Sequence, residues 1–243
     1  MNVLHLFYTP DIEPQHKAFI LNEEESKHAV RVLRLPVGEQ LELVDGNGGR
    51  YIAAIADAHP KRTVLEILSA VQEDGKRPYR LHIAIAPTKS IDRVEWFLEK
   101  ATEVGIDEIT PIICDHSERT IVKPERLQKV VVAAMKQSQR AYLPKINPAV
   151  RFADFLKTPL PDRRFIAHCA AGEKQHLSRV LQPGGEALVL IGPEGDFSAA
   201  EIEEAVRGDF VPITFGQARL RTETAALVAC VEMYLLHAHG DGH

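Results

Sequence analysis

Cysteine is scarce and scattered: Cys114, Cys169 and Cys230 are the only three, odd in number, far apart and without a Cys-x-x-Cys pair. That excludes a disulfide framework and a zinc knuckle, and the three thiols are expected in the core, where free cysteines usually lie. No run approaches the roughly 18 apolar residues of a membrane-spanning helix. The opening residues, Met1 to Pro10, hold no apolar stretch of signal-peptide length, so a cytosolic protein is expected. Several ligand signatures are missing as well. There is no Gly-x-x-x-x-Gly-Lys-Ser/Thr for a nucleoside triphosphate, no Gly-x-Gly-x-x-Gly after Leu81 to Ala86 for a dinucleotide, and no Gly-x-Ser-x-Gly elbow for an acyl-enzyme. Positive charge is short too, with 29 Lys and Arg against 34 Asp and Glu and a net charge of -5. Any nucleic acid must therefore be met by a local patch. The candidates are Lys27/Arg31/Arg34, Lys123/Arg126/Lys129 with Lys136/Arg140, and Arg219/Arg221, each of which has an ordinary solvated face as its alternative.

What is present is enough for a real core: 243 residues, 45% hydrophobic and 26% charged, the range of one large or two modest domains. The first seventy or so residues alternate short strand-like runs with turns: Leu4 to Phe7, Glu39 to Val44, Tyr51 to Ala56 and Thr63 to Leu68. They read as a small β-barrel or curled sheet. Asp45-Gly46-Asn47-Gly48-Gly49 supplies residues that tolerate positive φ and predicts a hairpin loop. One helix interrupts the strands, with Asn22 as its cap, Glu25 at the reciprocal capping-box position, and His28 to Leu33 continuing it. A polar stretch, Gln72 to Pro78, then breaks the pattern, and the domain boundary is placed between residues 73 and 74.

Beyond it, strands alternate with helices. Leu81 to Ala86 precedes a helix from about Ser90, whose Val94, Phe97, Leu98 and Ala101 follow the helical period and which Gly105 ends. Glu108 to Cys114 precedes a helix opening at Pro124, and Arg164 to Cys169 a helix near Gln175. Glu186 to Ile191 precedes a helix capped by Ser198 and Glu201, and Val211 to Phe215 precedes a long apolar helix from about Thr222 to His237. This alternation predicts an α/β domain with a mostly parallel sheet covered on both faces. Residues 239–243 read as a frayed tail.

Two glycine-containing loops each follow an apolar strand at its carboxyl end, where open α/β sheets bind ligands. In the first, Leu190 to Ser198, Gly192 and Gly195 remove Cβ atoms, Pro193 stiffens the turn, and freed backbone groups can read a purine edge; a well-capped strand-to-helix turn is the plainer alternative. In the second, Phe215 to Ala225, Arg219 and Arg221 face one side of an extended segment that runs into a helix N-terminus and make an anion site, or else a surface ion pair with Glu223. Cys114-Asp115-His116 and His168-Cys169 carry metal-ligand side chains, but adjacent residues of a strand point to opposite faces, so core or surface placement is the expectation.

Gly192-Pro193-Glu194-Gly195 and Leu220-Arg221-Thr222-Glu223-Thr224-Ala225, with Lys89 to Trp96 and Lys100 to Gly105 upstream, closely resemble the RsmE family of ribosomal RNA uridine-N3 methyltransferases. Lys27 to Arg34 and Gln137 to Pro144 match further family signatures, so the resemblance covers essentially the whole chain. It implies a PUA-like RNA-binding domain over residues 1–73 joined to a SPOUT methyltransferase domain over 74–243 with a deep trefoil knot, which no periodicity could show. The activity implied is transfer of a methyl group from S-adenosylmethionine to N3 of one uridine of 16S rRNA in the small ribosomal subunit, by a cytoplasmic homodimer without metal or membrane. The cofactor would be held by Leu190, Ile191, Gly192, Glu194, Gly195, Phe215, Gly216, Leu220, Thr222, Thr224 and Ala225. Arg221 would orient uracil and stabilise its anion, with Glu223 fixing Arg221 or relaying the proton. Arg31, Arg34, Lys89, Arg93, Gln137, Arg140 and Arg219 would meet RNA. Alternatives are another acceptor atom on the same fold (ribose 2′-O or guanine N1), a noncatalytic ribosome-binding factor, and a small-molecule enzyme.

Overall fold

The computed structural model describes residues 4–238, and the tail expected at 239–243 lies outside them. The chain forms two compact units, Met1–Lys76 with Met135–Leu143, and Arg77–Ala134 with Pro144–His243. The break anticipated at 73/74 thus falls at 76/77, and residues 135–143, read from sequence as part of the second domain, belong to the first unit. The hairpin loop explains their placement. Gly48 N donates to Ala141 O at 3.0 Å and Leu143 N to Gly46 O at 2.9 Å, while Met135 and Ala141 bury against Val44.

The first unit is a five-stranded sheet built from β1 (Leu6–Tyr8), β2 (Ala18–Ile20), β3 (Gln40–Val44), β4 (Arg50–Asp57) and β5 (Val64–Val71), in the order β1-β3-β4-β5-β2. Only the β1–β3 pair is parallel. Period-two alternation turns Tyr51, Ala53 and Ile55 of β4 inward onto Leu41, Leu43, Leu65 and Phe7. The sequence missed β2, three residues of which only Phe19 is partly buried. In the hairpin loop, Asp45 Oδ1 accepts from Asn47 N and Gly49 N, and Gly46 and Gly48 take positive φ. Between β2 and β3, α1 (Glu23–Lys27) is capped by Asn22 through Glu25 N at 2.8 Å and continues as a π-helical turn, His28–Val32. Glu25 does not complete a capping box; its carboxylate pairs with Lys136 at 2.8 Å.

The second unit carries an eight-stranded sheet whose named pairs are all parallel. Its elements are β6 (Tyr79–Ile85), α2 (Ile91–Val104), β7 (Glu108–Ile113), α3 (Pro124–Gln137), β8 (Lys145–Ile146), β9 (Val150–Arg151), α4 (Phe152–Phe155), β10 (Arg163–Ala167), β11 (Gln175–His176), α5 (Leu177–Val180), β12 (Gly185–Ile191), α6 (Ala199–Arg207), β13 (Val211–Thr214) and α7 (Thr222–Ala238). The last residues of α3, from Met135, belong to the first unit. Strand order is β11-β13-β10-β12-β6-β7-β8, with β9 also on β7.

Near Gln175, where a helix was expected, the chain instead makes an edge strand on Ile213 and Thr214 and then one short helical turn. Strands β8 and β9 and the turn α4 escaped the pattern because each is too short to show a period. In central β12 every residue from Ala187 to Ile191 is buried. Leu188 and Leu190 lie in the cluster with Phe152, Phe155, Phe197 and Ala205, and α7 packs against β6 and β12. Both faces are therefore covered, as a parallel sheet requires.

Candidate active site

The crossover from β12 through α6 to β13 skips over β10, so the carboxyl ends of β12, β10 and β13 lie side by side, the arrangement in which open α/β sheets form ligand crevices. A cavity of about 770 Å³ opens there, within the size range of small-molecule sites. Ile191 to Glu194 from the first glycine loop and Phe215 to Thr222 with Ala225 from the second form two of its walls. Thr222, buried, donates its hydroxyl to Gly192 O at 3.0 Å and so ties the two loops together.

The first loop is held from several directions. Asp196 N donates to Pro193 O at 2.9 Å. Asp196 itself sits at φ +67°, a left-handed conformation that Asp tolerates better than most side chains. Its carboxylate accepts from Phe197 N and, at 2.7 Å, from Cys169 N at the end of β10. Beyond it, the Ser198–Glu201 capping box starts α6 as the spacing predicted, and Glu201 also accepts from Asp115 N. A Cβ on Gly192 would lie 3.2 Å from the backbone nitrogen of Phe197, which leaves little room for any other residue.

Of the residues expected around the cofactor, Ile191, Gly192, Glu194, Phe215, Gly216, Leu220, Thr222 and Ala225 line the cavity. The other three do not. Leu190 is buried inside the sheet, Gly195 turns its bare side to His116, and Thr224 lines an adjoining cavity. The third wall was missed: Ala167, His168 and Cys169 at the end of β10, with Lys174 beyond. Cys169 is exposed, contrary to the expectation of a core thiol, whereas Cys114 and Cys230 are buried. Burial first, and then the Lys174 ammonium, push the His168 imidazole below its usual range, and its Nδ1 is buried without a partner.

Arg221 lies on the rim shared with the adjoining cavity, exposed and in no ion pair among the described residues. Glu223 is 6% exposed. It does not pair with Arg221; its Oε1 stands 4.0 Å from Arg93 Nε, and its Oε2 is buried with no hydrogen-bond partner.

The residues proposed for RNA divide between the two units. Arg31, Arg34 and Gln137 are exposed and Arg140 is half-buried in the first; Lys89 and Arg219 are exposed and Arg93 is half-buried in the second. Several neighbours in the candidate patches are already paired with acids. Lys27 binds Glu23, Lys136 binds Glu25, and Arg126 binds Asp92 and Glu95. Lys89 pairs with Glu118 at 2.9 Å, and its backbone N donates to Glu194. Among the described residues no group of three or more His, Cys, Asp or Glu is placed to hold a metal ion. His116 instead meets the carbonyls of Gly195 and Asp196, and Asp115 accepts from Ser198.

Comparison with known proteins agrees with this geometry. A family model described as an RNA methyltransferase domain matches residues 75–233, and one described as an RNA methyltransferase PUA domain matches residues 21–68. The ribosomal RNA small subunit methyltransferase E of Synechocystis sp. is 31% identical over 85% of this chain and 69% of that protein. The crystal structure of a probable rRNA-methyltransferase from Porphyromonas gingivalis is 40% identical, covers 98% of this chain and 100% of that one, and superposes with a TM-score of 0.89. A ribosomal RNA small subunit methyltransferase E from Neisseria gonorrhoeae, solved bound to S-adenosyl methionine, is 28% identical, with a TM-score of 0.85 over 96% of this chain and 98% of that one. With both domain models matched in order and the fold shared over 98% of its length, this chain belongs to the ribosomal RNA small subunit methyltransferase E family of RNA methyltransferases.

Proposed function

We propose that this protein methylates N3 of one uridine of 16S rRNA in the small ribosomal subunit, using S-adenosylmethionine. The observation that carries the reading is the cavity at the ends of β12, β10 and β13, made by two glycine loops joined through Thr222 and Gly192, with Arg221 on its rim and the buried carboxylate of Glu223 beside it. The lining suits this cofactor. Ile191, Ile213, Phe215 and Leu220 offer apolar walls for a purine, and at Gly216, where φ is +115°, nothing stands within 4 Å of the missing Cβ, so bare backbone is open to a ligand. Glu194 and the two arginines give opposite charges for the ammonium and carboxylate of an amino-acid tail. When bound, S-adenosylmethionine supplies an electrophilic methyl group.

The residues of this chain do the rest. N3 of uracil is a poor nucleophile until its proton leaves, and the resulting anion spreads onto the two flanking carbonyl oxygens. Arg221, always cationic, is assigned to orienting uracil and stabilising that charge. Glu223, with one buried oxygen free of donors, is assigned to taking the proton. The finer cofactor assignments, Leu190, Gly195 and Thr224 included, act on this reading through the backbone or by shaping the loops. Arg31, Arg34, Lys89, Arg93, Gln137, Arg140 and Arg219 are proposed to contact RNA, with the PUA domain fixing register. A trefoil knot through the loops at residues 190–198 and 215–225, a two-fold homodimer and a cytoplasmic location belong to the same proposal. Among the described residues no helix is long and apolar enough to cross a membrane.

The test is to incubate the purified protein with labelled S-adenosylmethionine and small ribosomal subunits from a strain lacking the modification, then identify the product nucleoside by mass spectrometry. Label in N3-methyluridine at one site is the expected result. Label in a ribose 2′-O-methyl group or in guanine, or no transfer at all, would refute the acceptor assignment.

A further inference from the structure

Helix α2 turns Val94, Phe97, Leu98 and Ala101 into the core, which leaves Trp96 on the outer face. The chain holds a single tryptophan, and it is 43% exposed. The indole lines a second cavity, of about 590 Å³, together with Asp92, Arg93, Arg219, Leu220, Arg221 and Glu223. Arg219, Leu220 and Arg221 line the larger cavity too, so the two spaces adjoin across that segment.

The charges around Trp96 are unevenly matched. Two acids of its own helix, Asp92 and Glu95, are engaged by Arg126. Arg219 and Arg221 form no ion pair among the described residues, and Arg93 reaches only Glu223, at 4.0 Å. The Glu223 oxygen without a donor is an incomplete arrangement, because a buried carboxylate oxygen normally finds a partner. With Asp92 held by Arg126, a flat aromatic face, three guanidinium groups and a Glu223 carboxylate oxygen lacking an N–H donor complement a nucleotide: a base to stack, phosphates to neutralise, and a ring N–H to be accepted. An apolar protein partner would meet too much charge here.

We propose that the Trp96 cavity is a stacking subsite for a nucleobase of the RNA substrate, adjoining the cofactor cavity. This rests on the RNA-methyltransferase reading above. A base lying on the indole is unpaired, as the Watson–Crick edge of a uridine must be before its N3 can react. Trp96 acts as a positioning residue: it presents the base and takes no part in bond making.

The lone tryptophan reports on its own occupancy. The protein loaded with S-adenosylmethionine is titrated with an RNA hairpin carrying the target uridine while indole fluorescence is followed, and saturable quenching is the expected result. Repeating the titration with an abasic nucleotide at the target position separates the sources: loss of quenching assigns the stacked base to the target, and retention assigns it to a neighbour. With small subunits as substrate, Trp96→Ala should raise the KM for RNA by roughly 5- to 150-fold, the range for losing one stacked base. The cofactor dissociation constant should not change, and Trp96→Phe should restore most of the loss. A normal KM in Trp96→Ala, or fluorescence that responds to protein concentration but not to bound RNA, overturns the subsite while the methyltransferase reading stands. Absence of transfer by the unaltered protein would sink that underlying reading instead.

Discussion

Replacing Thr222 by Val tests whether the bond between the two loops organises the site. The change is nearly isosteric, and it deletes the 3.0 Å hydrogen bond to Gly192 O at a residue 6% exposed. Gly192 is itself buried, so its carbonyl is left without that donor. Leaving a buried acceptor unsatisfied costs about 1–3 kcal/mol, which for a chain of this size lowers Tm by roughly 2–12 °C. If the bond also holds the loops in their ligand-ready arrangement, part of the same energy reappears in binding, where ~1.4 kcal/mol is about tenfold in Kd. Thermal unfolding with and without S-adenosylmethionine, together with calorimetric titration of the cofactor, measures both quantities. A Tm within about 1 °C of the parent would refute the assignment of Thr222 as that carbonyl's essential donor. A lowered Tm with unchanged cofactor Kd would refute its part in preorganising the loops.

Other expectations follow from the same geometry. Arg221→Ala and Glu223→Gln should each lower kcat by about 10²- to 10⁴-fold while calorimetry finds cofactor affinity nearly intact; normal turnover in either removes that residue from the chemistry. Burial, partly opposed by Glu108 and aided by Lys145 and Arg80, lowers the His82 pKa to about 4. Between its ordinary value near 6.5 and about 4, the unfolded chain takes a proton that the folded chain refuses. Stability should therefore fall as the pH drops through that window, by up to about 3 kcal/mol, and level off below it. Urea midpoints between pH 7 and pH 4 should show this slope, and His82→Gln should flatten it; equal slopes would exclude His82 as the source. Cys169 is exposed on the cavity wall, whereas burial pushes the Cys230 thiol up to about 12 and raises that of Cys114 as well. Iodoacetamide should label Cys169 alone in the native protein, and S-adenosylmethionine should slow it. Labelling at the same rate with saturating cofactor would argue against cofactor beside Cys169.

Much of the fold was legible because its causes are local. Alternation in Arg50–Asp57, the helical period of Val94, Phe97, Leu98 and Ala101, the glycines of the Asp45–Gly49 loop and the Ser198–Glu201 capping box each act over a few residues, and each is realised. The two glycine loops were legible for the same reason, since each follows a short apolar run. Elements of two to four residues were not, because a strand such as Gln175–His176 exists only through its pairing with Ile213 and Thr214.

Tertiary structure alone decided four matters. It brought His168 and Cys169 into the cavity wall, because β10 lies between β12 and β13 in space but precedes both in the chain. It returned residues 135–143 to the first unit through hydrogen bonds to the hairpin loop. It set Glu223 beside Arg93 and not Arg221, since α2 and α7 pack together at the turns that carry Arg93 and Glu223, while Arg221 lies just before α7. It left Cys169 exposed while burying Cys114 and Cys230. Sequence determines what lies within a few residues, through backbone sterics and hydrophobic period. Strand order and the meeting of distant side chains depend on which surfaces bury one another, a property of the whole chain.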